Sequence, residues 1–502
     1  MYNLRTSRKL TADQINKGLN LVIADGMTAE AMVVFTSGTF LTAMAIQLGA
    51  TNFQLGLFAA LPTFTTIFQL FSIWLVRRFN NRKIIAALFN FLARLPILAI
   101  GLMPFLFSKG TSIEVLFMLL FFQHIFGDIA GASWNSWMKD LVPAGQMGAF
   151  FSRRTRISQT LNVTLSLATA FAIDYIKAHK PQDEILAYHI LFLIGGSLGL
   201  ISVAFLLGTP EPRAKRINDK LLALFKMPLQ NVNFKNLLVF NSFWAFALNL
   251  ATPFFAVYML ETIKLPLSYV ISLGILGQLS GILSYKVWGI YTDRFSNKTI
   301  ISICAPLYIV CILAFAFTAS TGSHLLTIAL LTAIYFLSGI AIAGINLALN
   351  NVGLKLASRD EAIAYISVKN MFVAFFSTIA PLIGGLLADF FATHQFSGSL
   401  QFKSMDGITN FTFISLQGWN YFFIIGGLLA LLSLRFLNRV QEYGEVDKGR
   451  AVTFMRAQIR NQLEENLGKR ITRGILLPSN IVRKRMKKRA QQRRNIAIDD
   501  KN

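Results

Sequence analysis

The segment Arg78-Phe79-Asn80-Asn81-Arg82-Lys83-Ile84-Ile85 returns 216 residues later as Arg294-Phe295-Ser296-Asn297-Lys298-Thr299-Ile300-Ile301. Both copies follow the pattern R-F-x-N-[R/K]-x-I-I, and both lie between long apolar stretches. At an offset of 215, further identical or similar residues coincide without a gap: Asn135/Asn350, Leu141/Leu356, Ser152/Ser367, Arg154/Lys369 and Asp174/Asp389. Solenoid proteins repeat over roughly 20 to 50 residues, so this much longer unit is not a solenoid repeat. Two long copies in apolar sequence indicate a membrane protein built from duplicated halves.

The composition is that of a membrane protein. Apolar residues make up 54% of the chain and charged residues 14%, against about 25% charged residues in a soluble domain. The mean hydropathy is +0.53. Apolar runs of about 20 residues can cross a hydrocarbon core. We number twelve such runs as spans 1 to 12: 25–48, 53–76, 84–107, 113–138, 154–176, 186–208, 236–260, 267–290, 299–319, 325–349, 362–391 and 417–437.

The connection between spans 6 and 7 divides the spans six and six. The sequence therefore predicts an all-α membrane protein with twelve transmembrane helices in two pseudo-symmetric six-helix bundles. The predicted parts are an N-terminal segment, a first bundle, a central loop, a second bundle and a basic tail, at 1–24, 25–208, 209–235, 236–437 and 438–502.

Lysine and arginine placement predicts the orientation, because these residues are retained on the cytoplasmic side of short loops. Of the 48 Lys and Arg residues, 42 fall at or near one side of the predicted spans, five fall on the other side, and Arg94 alone lies in the middle of a span. Both termini are therefore expected in the cytoplasm. The same placement accounts for the net charge of +24 without any nucleic-acid partner.

The second copy of the repeated loop carries the pattern Gly289-x-x-x-Asp293-Arg294-x-x-x-Lys298. It resembles the signature G-x-x-x-D-[R/K]-x-G-x-[R/K] of the major facilitator superfamily, and the resemblance covers roughly residues 20–437. In the first copy, Ile73 and Arg77 stand where the signature has glycine and aspartate. The resemblance implies a secondary transporter in the cell membrane that works by rocker-switch alternating access, with a small-molecule substrate.

The resemblance also implies a cytoplasmic latch, because the family's loop aspartate lies near the start of a helix in the facing half. Asp293, flanked by Gly289 and Arg294, would face Arg153 and Arg154 at the start of span 5. At the other crossing the signs are exchanged, since Arg77 and Arg78 would face Asp360 and Glu361. The alternative is that the arginines are positive-inside anchors and the acids an ordinary helix start.

Ionisable residues inside spans are costly and mark functional candidates. Arg94 in span 3 and Asp128 in span 4 each lie ten residues from the cytoplasmic end, about 15 Å deep, so the sequence predicts an ion pair. Glu30 lies about 7 Å into span 1. The hypothesis is that Asp128 or Glu30 binds and releases a coupling proton. The alternative is a fixed Arg94–Asp128 pair that holds the bundle together.

Family resemblance implies that spans 1, 4, 7 and 10 line the central cavity. Glu30, Asp128 and Asn135 would then lie on one side of it, and Asn249, Asn346 and Asn350 on the other. Hydrogen bonds between helices would explain the asparagines equally well.

Two other functions stay open. One is the efflux of multiple drugs or lipophilic cations. Span 5 does not contain the G-P-x-x-G-G motif of drug antiporters, and only Pro381-x-x-Gly384-Gly385 in span 11 resembles it. A sensor or scaffold would act through the tail, which from Arg439 holds 17 Lys/Arg against 7 acids and is expected to bind anionic lipid.

Enzymatic function is not predicted. The sequence has no zinc-ligand spacing, no phosphate-binding G-x-x-x-x-G-K-[S/T] loop and no G-x-S-x-G elbow. No cofactor is predicted, and the expected form is a monomer.

Overall fold

The computed structural model describes residues 10–79, 81–106, 112–212, 228–318, 323–355, 362–392, 394–404, 407–442, 449–455 and 457. Within these ranges, eleven helices are long and apolar enough to cross a membrane. Met147–His179, 33 residues long, is the twelfth, and its apolar run is interrupted by arginine, serine and threonine. The chain divides into two compact units, Met1–Tyr443 with all twelve helices and Gly444–Asn502 with the tail. Most of the tail lies outside the described residues.

The first six spans have these helical bounds: Ala12–Thr36 and Gly38–Gln47 in span 1; Asn52–Phe64, the 3₁₀ turn Thr65–Phe68 and Gln69–Phe79 in span 2; Arg82–Leu106 in span 3; Ile113–Leu141 in span 4; Met147–His179 in span 5; Glu184–Gly208 in span 6.

The last six spans and the strands have these bounds: Val232–Ala251, Phe254–Val257 and the π-helical turn Tyr258–Thr262 in span 7; Leu267–Phe295 in span 8; Asn297–Phe315 in span 9; His324–Lys355 in span 10; Ala362–Ala392 in span 11; Trp419–Leu437 in span 12; and the strands β1, Gln395–Ser404, and β2, Gly407–Gln417.

The two strands correct the all-α prediction at one place. They form an antiparallel hairpin between spans 11 and 12, in register from Gln395 opposite Gln417 to Ser404 opposite Gly407, with a bulge at Gly398/Ser399. No predicted span covers this segment, because its apolar residues do not form a run long enough to cross a membrane. All predicted membrane helices are present, and the fold class is confirmed.

Proline interrupts two spans. Pro62 precedes the 3₁₀ turn of span 2, and Pro253 precedes the π-helical turn of span 7. A proline lacks the N–H that would bond the preceding turn, so the helix changes its winding nearby. In span 2 this change lies where Thr65 meets a carboxylate of span 4, as described below.

The repeated segment anchors each half in the same way. In the first half, Arg82 donates its backbone N–H to Glu211 Oε1 at 2.7 Å and its Nη1 to Asp140 Oδ2 at 2.6 Å. In the second half, Asn297 Nδ2 and the backbone N–H of Lys298 donate to the two carboxylate oxygens of Glu442 at 2.7 and 2.8 Å. A glutamate that follows the sixth helix of each half therefore closes the N-terminus of its third helix.

Burial raises the pKa of Glu211 above its ordinary value, while the bonds from Arg82 act in the opposite direction. The Arg82 and Glu211 side chains are 2% and 1% exposed. This pair is therefore a desolvated ion pair whose two members depend on each other.

Candidate solute cavity

A cavity of about 790 Å³ lies between span 5 and the second half of the protein. Its wall comes from span 5 and from spans 7 to 10, with the side chains and glycines Thr155, Gln159, Asn162, Thr252, Phe255, Ala256, Gly274, Gly277, Gln278, Gly281, Ile282, Tyr285, Tyr308, Cys311, Ile312, Phe315, Ile334, Tyr335, Ser338, Gly339, Ile342 and Ala343. This volume falls within the range of small-molecule sites.

The wall is aromatic and neutral. Phe255 and Phe315 stack with their ring centroids 4.0 Å apart, and Phe315 meets Tyr335 edge-on at 6.0 Å. Amide and hydroxyl groups of Gln159, Gln278 and other residues provide hydrogen-bond donors and acceptors. None of the wall residues, all from the described part of the chain, carries a charge. The arrangement can hold a flat or sugar-like solute by stacking and hydrogen bonding.

Glycines bring spans 8 and 10 together within this wall. A Cβ on Gly339 would collide with the carbonyl oxygen of Gly277, and a Cβ on Gly281 would lie 3.2 Å from the carbonyl oxygen of Gly339. Small residues permit such backbone contact between membrane helices. By contrast, a Cβ on Gly274 would meet nothing within 4 Å, because that position faces the cavity.

Glu30 is the predicted acid that the structure joins to the cavity. Its Oε1 accepts a hydrogen bond of 2.7 Å from Asn162 Nδ2, and Asn162 lines the cavity. The bond links span 1 to span 5. A change in the charge of Glu30 would therefore act directly on a wall residue.

The predicted Arg94–Asp128 ion pair is wrong. Asp128 accepts hydrogen bonds from Thr65 Oγ1 at 2.6 Å and Gln69 Nε2 at 3.0 Å, both in span 2. Arg94 donates to Asn90 Oδ1 at 3.1 Å, and the carboxylate that acts on it electrostatically is Asp25. Equal depth in the bilayer places two residues at the same height, but it does not make them face each other.

Asp25 is a functional candidate that the sequence did not single out. It is 5% exposed, accepts a 2.6 Å hydrogen bond from Ser202 Oγ, and lies in the field of Arg154 and Arg94. Two glycines make room for the arginines. A Cβ on Gly26 would lie 2.7 Å from Arg154 Nε, and one on Gly199 would lie 2.7 Å from Arg94 Cδ. The sequence places Asp25 at the edge of span 1, where an acid is expected to be exposed, and so it did not predict that Asp25 is buried.

The predicted asparagines do not line the cavity itself. Asn249 donates to Ser377 Oγ at 3.1 Å and to the carbonyl oxygen of Ala245 at 2.8 Å, so it joins spans 7 and 11. Asn135, Asn346 and Asn350 are exposed. Asn346 follows the wall residue Ile342 by four positions and so continues the same face of span 10.

The predicted latch stays a prediction. Asp360, Glu361 and the side chain of Asp293 lie outside the described residues. The other predicted members are placed as follows: Arg77, Arg78 and Arg153 are exposed, Arg294 lies 5.8 Å from the Phe295 ring, Gly289 has open space beside it, and Arg154 lies 4.9 Å from the Trp134 ring within its own half.

Comparison with protein-family models shows to which family the chain belongs. The model of the Major Facilitator Superfamily matches residues 26–368. The chain belongs to the major facilitator superfamily. No curated protein matches its sequence.

Several solved structures share this superfamily fold. The nucleoside transporter NupG is 13% identical, covers 86% of this chain and 100% of its own, and gives a TM-score of 0.63. A bacterial homologue of the iron transporter ferroportin is 16% identical, with 86% and 100% coverage and a TM-score of 0.57. The xylose transporter XylE from E. coli is 14% identical, with 85% and 99% coverage and a TM-score of 0.55.

Membership makes this chain a multi-pass membrane transporter of the cell membrane rather than an enzyme. Members of this superfamily bind small-molecule substrates. The solved structures are only 13–16% identical to this chain, so they show its fold and not its solute. The solute class has to be inferred from the residues of the cavity.

Proposed function

We propose that this superfamily member moves a small, neutral, polar solute by rocker-switch alternating access and couples that movement to protons through Glu30. The observation that carries the proposal is the 2.7 Å hydrogen bond from Asn162 to Glu30, which connects an ionisable group to the cavity wall.

The cavity chemistry supports the substrate class. A charged solute needs an opposite charge in a dry site, because an unpaired buried ion is costly. The described wall instead combines the rings of Tyr285, Tyr308 and Tyr335 with the amides of Gln159 and Gln278. Such a wall suits nucleosides, sugars or similar neutral molecules. NupG and XylE, which share the fold, are nucleoside and xylose transporters.

The proton step follows from the bond itself. Ionised Glu30 is a strong acceptor for the Asn162 amide, and protonation removes that charge and weakens the bond. Asn162 is then free to turn toward a solute in the cavity. Binding of the proton and binding of the solute are in this way linked through one side chain.

The test uses purified protein in proteoliposomes. Uptake of radiolabelled nucleosides, sugars, amino acids, organic anions and lipophilic cations is measured with and without an imposed pH gradient. We expect accumulation of a neutral polar solute in the wild type. Glu30→Gln should abolish accumulation above the outside concentration but keep exchange of labelled for unlabelled solute.

Asp128→Asn is the matched control, because Asp128 bonds Thr65 and Gln69, and none of these three residues lines the cavity. It should retain gradient-driven accumulation. If Glu30→Gln accumulated solute as well as Asp128→Asn did, coupling through Glu30 would be excluded. A response to lipophilic cations alone would favour the efflux function instead.

A further inference from the structure

Two aspartates hold the halves together at one end of the protein. Asp174, near the end of span 5, accepts hydrogen bonds from the backbone N–H groups of Leu267 and Ser268 at 2.9 and 2.8 Å. These amides are the first two of span 8, which belongs to the other half. The carboxylate thus bonds the N-terminus of a helix with both of its oxygens.

The second aspartate repeats this arrangement. Asp389, near the end of span 11, accepts hydrogen bonds from the backbone N–H groups of Asn52 and Phe53 at 3.1 and 3.0 Å. These are the first two amides of span 2. Asp174 and Asp389, Asn52 and Leu267, and Phe53 and Ser268 are each separated by 215 residues, the offset of the repeat. The duplication therefore produced two equivalent contacts between the halves.

Both contacts lie at the same end of the bundle. Span 1 begins at Ala12, and span 2 begins after one crossing, so Asn52 lies at the end opposite the first described residues. Asp174 lies at that same end, because span 5 starts where span 4 returns. With the orientation predicted from the Lys and Arg count, this is the external face.

The physical reason for the strength of these contacts is general. The first amides of a helix have no partner within the helix, and they carry the positive end of its dipole. A carboxylate that bonds two of them makes two charge-assisted hydrogen bonds. When the halves separate at this end, both sets of bonds are lost.

The crossings beneath the two contacts differ. Between spans 2 and 11, a Cβ on Gly56 would collide with the carbonyl oxygen of Pro381, and one on Gly385 would lie 2.6 Å from the carbonyl oxygen of Asn52. These helices touch through their backbones. Between spans 5 and 8 lies the cavity, with Asn162 on one side and Gly274 on the other. Asp174 therefore closes the end of a crossing that backbone packing does not fill.

We propose that Asp174 and Asp389 form a paired external latch: their bonds to the starts of spans 8 and 2 keep the cavity closed to the outside. Asp174 is the member that controls the opening, since the cavity lies beneath it. Asp389 reinforces a crossing that glycine packing already holds.

The experiment measures the external separation of the halves in nanodiscs without substrate. Cys304 and Cys311 are buried and are first replaced by alanine. Spin labels at Lys180 and Lys264 report on the span 5–8 crossing, and labels at Ala50 and Ala392 report on the span 2–11 crossing. Distance distributions come from double electron–electron resonance.

We expect Asp174→Asn to raise the ratio of open to closed distances about tenfold, because one charged acceptor is replaced by a neutral amide with a single acceptor oxygen. Asp389→Asn should raise it less, and the double variant should multiply the two effects. Asp183→Asn is the control: this acid lies close by at the same end and makes no capping bond. Its distances should equal those of the wild type.

A second pair of variants tests the donors rather than the acids. Asn52→Pro removes one bonded N–H at a helix position where proline is favoured, while Asn52→Ala keeps that N–H. Thr51, which precedes it, has φ −70° and ψ 161°, and this conformation tolerates a following proline. Asn52→Pro should shift the span 2–11 distances toward the open state, and Asn52→Ala should not.

Unchanged distances in both Asp174→Asn and Asn52→Pro would overturn the latch. Should Asp174→Asn not fold, Leu267→Pro compared with Leu267→Ala provides the same test at that crossing. The distances are recorded without solute or pH gradient, so their outcome is independent of proton coupling and of the substrate class.

Discussion

The two halves of this transporter share a scaffold and differ in charge. In the first half, the fifth helix carries Asn162, which donates to Glu30 of span 1. The equivalent position of the second half, 215 residues later, is Ser377, which accepts from Asn249 of span 7. The same helix pair is therefore joined by an acid in one half and by neutral groups in the other.

Other repeat positions show the same difference. Asp25, which is buried and lies in the field of Arg154 and Arg94, corresponds at the motif offset of 216 to Asn241, which is also buried. The second half meanwhile provides most of the cavity wall. We infer that the duplication kept helix packing and separated two tasks, with ionisable groups concentrated in the first half and neutral recognition in the second.

The largest expected effect concerns the anchors of the repeated segment. Arg82→Ala should lower the free energy of unfolding by about 3–5 kcal/mol, because it removes the buried guanidinium that pairs with the carboxylates of Glu211 and Asp140. The equivalent change, Lys298→Ala, keeps both hydrogen bonds shown above for Glu442, from Asn297 Nδ2 and from the backbone N–H of residue 298, and should cost only about 1 kcal/mol. Thermal unfolding in detergent compares the two variants. Equal losses of stability would contradict the difference between the two anchors.

The Arg82→Ala deficit should depend on pH. A carboxyl group whose folded pKa is raised by burial contributes most to stability at low pH, and that contribution is lost as the pH rises above its unfolded value. The difference between Arg82→Ala and the wild type should therefore be smaller at about pH 5 than at about pH 8. A difference that grows on acidification would show that Glu211 is not the cause.

An intermediate effect concerns the two crossings between the halves. Gly56→Ala should destabilise the protein by about 1–3 kcal/mol, since its new Cβ collides with the backbone of span 11. Gly274→Ala places the same methyl group in the open cavity and should change stability by less than about 0.5 kcal/mol. Melting temperatures in detergent distinguish them, and a neutral Gly56→Ala would show that the span 2–11 crossing is loose.

The smallest expected effect is on uptake, and it concerns the hydrogen bond between the first and fifth helices of each half. Asn162→Ala should reduce pH-gradient-driven uptake about tenfold, because Glu30 loses its link to the cavity wall. Ser377→Ala should reduce uptake by about twofold or less, since Asn249 keeps its bond to the Ala245 carbonyl. Uptake of the solute identified by the panel measures both, and an inverted order would place coupling in the second half.

Hydropathy and the internal repeat predicted the twelve spans and the two bundles, because membrane insertion needs only length and apolar character. They could not predict the Gln395–Gln417 hairpin, whose pairing depends on two segments meeting outside the spans. The candidate site was predicted less well. Glu30 was identified by its charge, whereas Asn162 and Gln278 resemble any polar residue of a membrane helix.

The repeat also contains a pair of equivalent acids whose role the sequence could not predict. Asp174 and Asp389 were visible as equivalent positions, but nothing in the sequence names the backbone amides that they bond. Backbone N–H groups are the same in every residue, so only the structure can show which helix start lies beside a given acid.

The sequence by itself determined the twelve apolar spans and the repeat that relates the two halves, and it predicted the depth of each charge along its span. Tertiary structure alone decided what each charge meets: Asp128 accepts a hydrogen bond from the hydroxyl of Thr65, and Asp25 lies in the field of Arg94. The physical reason is that hydropathy fixes the position of a residue along the membrane normal. Its direction around the helix is fixed by packing against neighbours, and that packing depends on the whole bundle.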